Sequence, residues 1–256
     1  MASIAVETWG EVAILKMQHG KASALDMEFT QAIIEELGAL ARSQSSAVVL
    51  TGTGTIFSAG VDLIRLQAGG SSYIQHFVPL ISKLVLVLFE FPKPLISALN
   101  GHAVAGGCVM ACATDYRVMA RGNGRIGVPE LLVGLPFPTA ALEVVRYVVP
   151  AHNLRAVVLE GRMYAADDAL NVGLVDEVCA ADELLARAVS KAEKLAALPS
   201  AAFALTKNQL QAPVLERIAA GAAHDAEAAA LWRHPDSLER VRRHVERTFK
   251  PASTPS

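Results

Sequence analysis

The chain has 256 residues, enough to bury a full hydrophobic core as one large domain or as one domain with a small appendage. It is 52% hydrophobic and 19% charged, the balance of a globular protein and not of a disordered one. A formal net charge of -2 leaves no basic excess to displace counterions, so a nucleic-acid partner is not expected.

In chain order, residues 3–8 and 11–17 alternate apolar and polar around Trp9-Gly10, which predicts a β-hairpin. Asp26 can cap a helix to about Arg42, with Phe29, Ile33, Leu37 and Leu40 at helical spacing. The short apolar run at 47–52 reads as a strand buried on both faces. A loop with Gly52, Gly54 and Gly60 follows, then a helix from about Tyr73 to Phe91 that Pro92 and Pro94 break. Residues 95–101 give a second buried strand. A Gly-rich turn at 101–107 opens a helix through Ala113, and 115–120 is strand-like. After Gly134 helical patterns dominate, so a β/α core over residues 1–195 carries a helical region over 196–256.

Cys108, Cys112 and Cys179 are too few and too scattered for a disulfide framework, and no metal-ligand spacing accompanies them. They read as buried thiols in a reducing compartment. The N-terminus lacks a secretory or transit pattern, the apolar run 84–89 is too short to span a bilayer, and "PASTPS" is not a peroxisomal tripeptide. A cytoplasmic protein with no membrane association is expected. The arginines 240, 242, 243 and 247 alternate with Glu239 and Glu246 and read as a solvated helix face. "GTGTIFSAG" lacks the third glycine of a dinucleotide fingerprint, because Phe57 stands there; Ile56 likewise spoils a nucleophile elbow.

Two glycine-bearing loops remain, "FSAGVDL" (57–63) and "HAVAGGCVM" (102–110), each after a buried strand. Small residues let backbone N–H groups approach a ligand, and two donors converging on one oxygen make an oxyanion hole. With "GVPELLVGLP" (127–136) after them, the pair resembles the enoyl-CoA hydratase/isomerase (crotonase) superfamily. The likeness extends through "KASALDMEFTQAI" (21–33), "FPKPLISALNGHAVAGG" (91–107), "GRMYAADDALNVGLVDEV" (161–178) and "ALTKNQL" (204–210).

The resemblance implies an α/β fold, the crotonase spiral of β-β-α units with a C-terminal helical trimerisation region, and a homotrimer or dimer of trimers. It implies an acyl-CoA thioester substrate, with coenzyme A part of that substrate, no other cofactor and no metal. By motif match, the N–H groups of Ala59 and Gly106 hold the thioester oxygen. Ala59, Gly60, Val61, Asp62 and Leu63 line the acyl-CoA site with Gly106 and Val109, while Ala22, Ala24 and Leu25 lie along the CoA moiety. Asp62 also reads as a loop or helix-capping residue and His102 as a structural histidine. Tyr73, His76 and Phe77 fall where the family roofs its acyl pocket, or else in ordinary core packing.

The sequence departs from the family's hydratases, which use two glutamates. The first position is Val109; the second is present as Glu130. A water-holding glycine of the hydratases, an aspartate in dienoyl-CoA isomerases, falls at Pro138, which has no N–H. One carboxylate suits a proton shuttle from C2 to C4 of a 3-enoyl thioester, as in the family's single-glutamate Δ3,Δ2-enoyl-CoA isomerases. Leu131, Leu132, Leu135 and Phe137 with Val109 are expected to keep the pocket dry and raise the pKa of Glu130. A hydratase with reduced machinery and a non-catalytic acyl-CoA-binding homologue are the alternatives.

Overall fold

A computed structural model describes residues 3–249 of the chain. The "PASTPS" tail and the last residues of the expected oligomerisation region lie outside the described residues. Strands β1 (Ile4–Trp9) and β2 (Val12–Met17) form the expected hairpin, turned by Gly10 at a φ of 61°. Strands β3 (Ala47–Thr51), β5 (Leu95–Leu99), β7 (Tyr116–Ala120) and β9 (Glu177–Cys179) add in parallel, giving a six-stranded sheet of order β1-β2-β3-β5-β7-β9. Three short strands, β4 (Ile56–Ser58), β6 (His102–Val104) and β8 (Ile126–Gly127), form a second parallel sheet.

The chain therefore steps from a long strand in the first sheet to a short one in the second, three times over, and a helical crossover follows each pair. Helix α1 (Met27–Arg42) leads into the first of these turns, α2 (Leu63–Phe89) follows β4, and α3 (Gly106–Cys112) follows β6. After β8 come a 3-10 turn (Glu130–Val133), α4 (Thr139–Val148), α5 (Ala151–Glu160) and α6 (Ala166–Val172). Helix α7 (Leu184–Ala196) follows β9, and α8 (Ser200–Ala220), α9 (Ala222–Trp232) and α10 (Pro235–Phe249) close the described chain.

The period of two sorts the strand side chains. Val48, Leu50, Leu95, Leu99 and Met119 face one core with α1, α2 and α3, while Val49, Ile96, Ala98 and Val118 face a second core with Ala188, Val189 and Ala192 of α7. Both faces of the sheet are covered, which is why β3 and β5 read as continuous apolar runs.

Helix α1 starts as expected: Asp26 accepts the Phe29 N–H at 2.7 Å. Helix α2 ends near the expected place, at Phe89, but departs from expectation at its start. It begins at Leu63 and not near Tyr73, because Asp62 caps it by accepting the Ile64 and Arg65 N–H groups. Gly70, at φ 57° and ψ -153°, breaks it into two helical pieces, and that glycine-serine stretch is what made residues 63–72 read as loop. By length and composition α2 could cross a bilayer, yet it buries Leu66, Ile74, Phe77, Val78, Leu84 and Leu88 inside the protein.

Candidate active site

The loop after β4 is joined to the segment before α1 by four hydrogen bonds. Ala59 N–H donates to the Ala22 carbonyl (3.0 Å), Leu25 N–H to the Gly60 carbonyl (2.7 Å), and Asp62 N–H to the Leu25 carbonyl (2.9 Å). The Ser58 hydroxyl donates to the carbonyl of Ser23, whose φ of 44° marks a forced turn. Ala22 and Ala24 are half-buried on this seam, and the Leu25 side chain is buried.

This bonding corrects the expectation for Ala59. Its N–H already has a carbonyl partner inside the protein, so it is not open to a ligand here. The Gly60 N–H is likewise directed to Ser58 Oγ at 3.2 Å. Among the four residues 59–62, the N–H left without an internal acceptor is that of Val61. The bridge between Leu25 and Val61 explains the alternation, since one amide in two along an extended segment faces the partner strand.

Val61 sits against the turn that opens α3. A Cβ placed on Gly106 would lie 3.8 Å from Val61 N and 3.6 Å from Gly60 Cα. Gly60 is at φ +75°, and a Cβ there would come within 2.5 Å of the Val104 carbonyl and 2.9 Å of Gly106 N. The two loops thus touch backbone to backbone, which only glycine permits. Ala105, a non-glycine residue at φ 52° and ψ -122°, turns the chain sharply and is held by its N–H to the Gly127 carbonyl (2.9 Å). Such a conformation costs on the order of 1–3 kcal/mol and is sustained by the packing around it. It leaves the Gly106 N–H at the first position of α3 without an acceptor among the described residues, beside that of Val61.

Glu130 opens the 3-10 turn after β8, and its carbonyl accepts the Leu135 N–H at 3.1 Å. The residue is half-buried, but its Oε2 is buried and has no hydrogen-bond partner. Burial pushes its pKa from 4.5 up to about 8, and no other ionisable side chain contributes to that shift. Its charge is felt on α3, where the hydrogen bond that the Cys108 thiol donates to Cys112, together with burial, raises the Cys108 pKa and Glu130 adds to the rise.

Val109, at the position of the hydratases' first glutamate, is 2% exposed in the core. Beside Val61 lies a cluster of Leu66, Ile74, Val78, Leu135, Trp232 and Val241, with Val61 and Leu63 packed against it. Trp232 and Val241 come from α9 and α10, and Trp232 Nε1 donates to the Pro136 carbonyl at 2.8 Å. Sequence reading missed this cover because it arrives from a hundred residues away; the one local signal was a tryptophan in an otherwise Ala-rich tail. Leu135 is buried as expected, but Leu132 is 66% and Leu131 38% exposed, so these two point outward from the turn and not into a pocket around Glu130. Phe137 packs against the main core. Asp62 caps α2. Tyr73 accepts the Met27 N–H (3.0 Å) and meets Phe77 in a tilted ring contact, while His76 is exposed and bonded to its own helix at the Ser72 carbonyl. His102 lies half-buried on β6, and the three cysteines are buried and free.

Comparison with known proteins gives a consistent family. A family model described as enoyl-CoA hydratase/isomerase matches residues 7–249. The mitochondrial enoyl-CoA delta isomerase 1 of Rattus norvegicus is 31% identical over 213 residues, 81% of this chain and 74% of the rat protein. The crystal structure of human mitochondrial delta3-delta2-enoyl-CoA isomerase superposes with a TM-score of 0.92 at 25% identity, over 96% of this chain and 98% of the human one. An enoyl-CoA hydratase from Mycobacterium marinum gives 0.79 at 27% identity, over 86% and 96%. By the family model over residues 7–249 and the likeness to these isomerases, the chain belongs to the enoyl-CoA hydratase/isomerase (crotonase) family and is isomerase-like within it.

Proposed function

We propose that this enzyme shifts the double bond of a 3-enoyl-CoA to C2–C3. The Glu130 carboxylate removes a C2 proton, the electron pair moves onto the thioester oxygen as a dienolate, and the same carboxyl group returns the proton to C4. The N–H groups of Val61 and Gly106, and not that of Ala59, hold the developing oxyanion. A donor in such a hole is worth about 3–4 kcal/mol of transition-state stabilisation. Coenzyme A enters as part of the substrate, the segment 22–25 lies along it, and no further cofactor takes part.

The observation that carries this reading is the solitary state of Glu130. Hydration needs one group to activate water and another to protonate the adjacent carbon, whereas an allylic shift needs one group able to hold a proton and release it. A carboxyl with a pKa of about 8 is balanced for both halves near neutral pH. Purified protein is given 3-enoyl-CoA and 2-enoyl-CoA beside Glu130→Gln. Double-bond migration that vanishes in the variant supports the proposal, and hydration without migration overturns it. Tight CoA-thioester binding with neither reaction makes the chain a binding homologue.

The proposal includes a homotrimer built on residues 196–256 beside a spiral core of 1–195. Helix α8 turns the usual pattern over: it buries Lys207 and Gln211, which reach the Phe91 and Phe89 carbonyls, and leaves Leu205 and Leu210 about 60% exposed. An apolar face of that kind is what another copy of the helix region would cover.

A further inference from the structure

Ser58 ends β4 where three pieces of backbone meet. It pairs with Ala103 of β6, and a Cβ on Gly107, in the first turn of α3, would lie 2.9 Å from its own Cβ. Its fully buried hydroxyl makes two bonds in different directions. The proton goes to the Ser23 carbonyl at 2.8 Å, and the oxygen accepts the Gly60 N–H at 3.2 Å. A hydroxyl has one proton and two lone pairs, so donating to Ser23 turns a lone pair free for Gly60.

These bonds fix particular peptide planes. Ser58 Oγ holds the plane of residues 59–60 by its N–H. The Leu25 N–H holds the plane of 60–61 by the Gly60 carbonyl, at 2.7 Å, and the N–H of that plane is the open one of Val61. The two planes pivot on Gly60, which at φ +75° and without a Cβ resists rotation only where both are pinned. Without Ser58 Oγ the Gly60 N–H has no acceptor among the described residues and competes with Val61 for the same ligand oxygen. We infer that Ser58 is a positioning residue for the double-bond shift, and that by holding the Gly60 amide it aims the Val61 amide at the thioester oxygen. The inference rests on the reading of Val61 and Gly106 as the oxyanion donors.

The test compares wild type with Ser58→Ala, Ser58→Cys and Thr51→Val. The last removes a buried hydroxyl bond of the same kind, from Thr51 Oγ1 to the Ala98 carbonyl at 2.8 Å, inside the six-stranded sheet. Rates with a 3-enoyl-CoA are read beside the amide shifts of Gly60, Val61 and Gly106 on adding a saturated acyl-CoA. Ser58→Ala is expected to lower kcat roughly ten- to a hundredfold, part of the loss that follows removal of a whole donor. The segment 22–25 keeps its other bonds to the loop, so KM should change little. The Val61 shift should shrink and that of Gly106 persist. Ser58→Cys should fall between, because a thiol is the weaker donor and acceptor, and it carries the test if Ser58→Ala does not fold. Thr51→Val should lose Tm in the same way with kcat near wild type. An unchanged kcat or Val61 shift in the Ser58 variants, or an equal loss of kcat in Thr51→Val, overturns the positioning role and leaves the isomerase reading intact. A wild type in which Val61 does not shift overturns the donor assignment and the role of Ser58 with it. A wild type that moves no double bond, but whose Val61 shift still depends on Ser58, keeps the positioning role and removes the isomerase.

Discussion

Gly60 and Gly106 meet backbone to backbone: a Cβ on Gly60 would lie 2.9 Å from Gly106 N, nearer than side-chain carbons come to backbone atoms. The contact is asymmetric. On Gly106 a Cβ would press only on the flexible Leu25 Cδ1, at 3.2 Å, and meet Gly60 Cα and Val61 N at ordinary contact distance, whereas on Gly60 it would also strike the Val104 carbonyl and suffer a φ of +75°. Gly60→Ala is therefore expected to lower kcat by roughly 10²–10³ by displacing a donor, with a left-handed strain of about 1–3 kcal/mol in stability. Gly106→Ala should fold normally and lose far less. Equal losses in kcat and in Tm for the two variants would show that the loops are not held together at Gly60.

The assignment of the amide donors is open to direct observation. In protein labelled at valine, alanine and glycine nitrogens, a saturated acyl-CoA is expected to shift the Val61 and Gly106 amide protons downfield. Ala59, bonded to the Ala22 carbonyl, should move little. A large shift at Ala59 with none at Val61 would restore the assignment made from the motif.

With Glu130 held near a pKa of about 8, most of the free enzyme carries the protonated acid at neutral pH. The base form starts the reaction, so kcat/KM should climb with pH and level off above about 8. Glu130→Gln should flatten this profile and lower kcat by roughly 10²–10⁴ while leaving CoA-ester affinity near wild type. A profile that levels off near 4.5 would mean the carboxylate is solvated and that its burial plays no part.

The same shift is a statement about stability. Because the folded-state pKa is raised, the folded protein binds more protons than the unfolded chain between about 4.5 and 8. That contribution is present in full below 4.5 and is lost as pH rises through the folded pKa. Over that window Glu130 costs the wild type up to about 1.4 kcal/mol per pH unit relative to a neutral isostere. The Tm of Glu130→Gln should thus pull above that of wild type as pH goes from 5 to 8 and run parallel beyond. A constant gap would remove the linkage.

Much of this was legible along the chain because it rests on local rules. Asp26 capping α1, the paired glycine loops and the apolar runs of β3 and β5 each carry their own signal within a few residues. What was not legible depends on partners elsewhere. The choice between Ala59 and Val61 is made by the Ala22 and Leu25 carbonyls, nearly forty residues upstream, and no spacing inside "FSAGVDL" encodes it. Leu131 and Leu132 look like pocket residues by composition, yet the 3-10 geometry of their turn aims them outward. Trp232 and Val241 reach the site only because α9 and α10 fold back over it.

Helix α8 supplies the last prediction. Alongside the buried Val214, two polar residues face inward, Lys207 pairing with Asp115 at 2.8 Å and Gln211 bonding the end of α2, while Leu205 and Leu210 remain outside. An arrangement so inverted costs stability in an isolated subunit unless the apolar side is covered. Light scattering is expected to give a particle near three times the 27.1 kDa chain mass. The double variant Leu205→Asp/Leu210→Asp should dissociate it, with the far-ultraviolet circular dichroism unchanged, because neither side chain contributes to the subunit core. A wild-type particle of one chain mass would show that this face is left to solvent, and the trimer would then have to be abandoned.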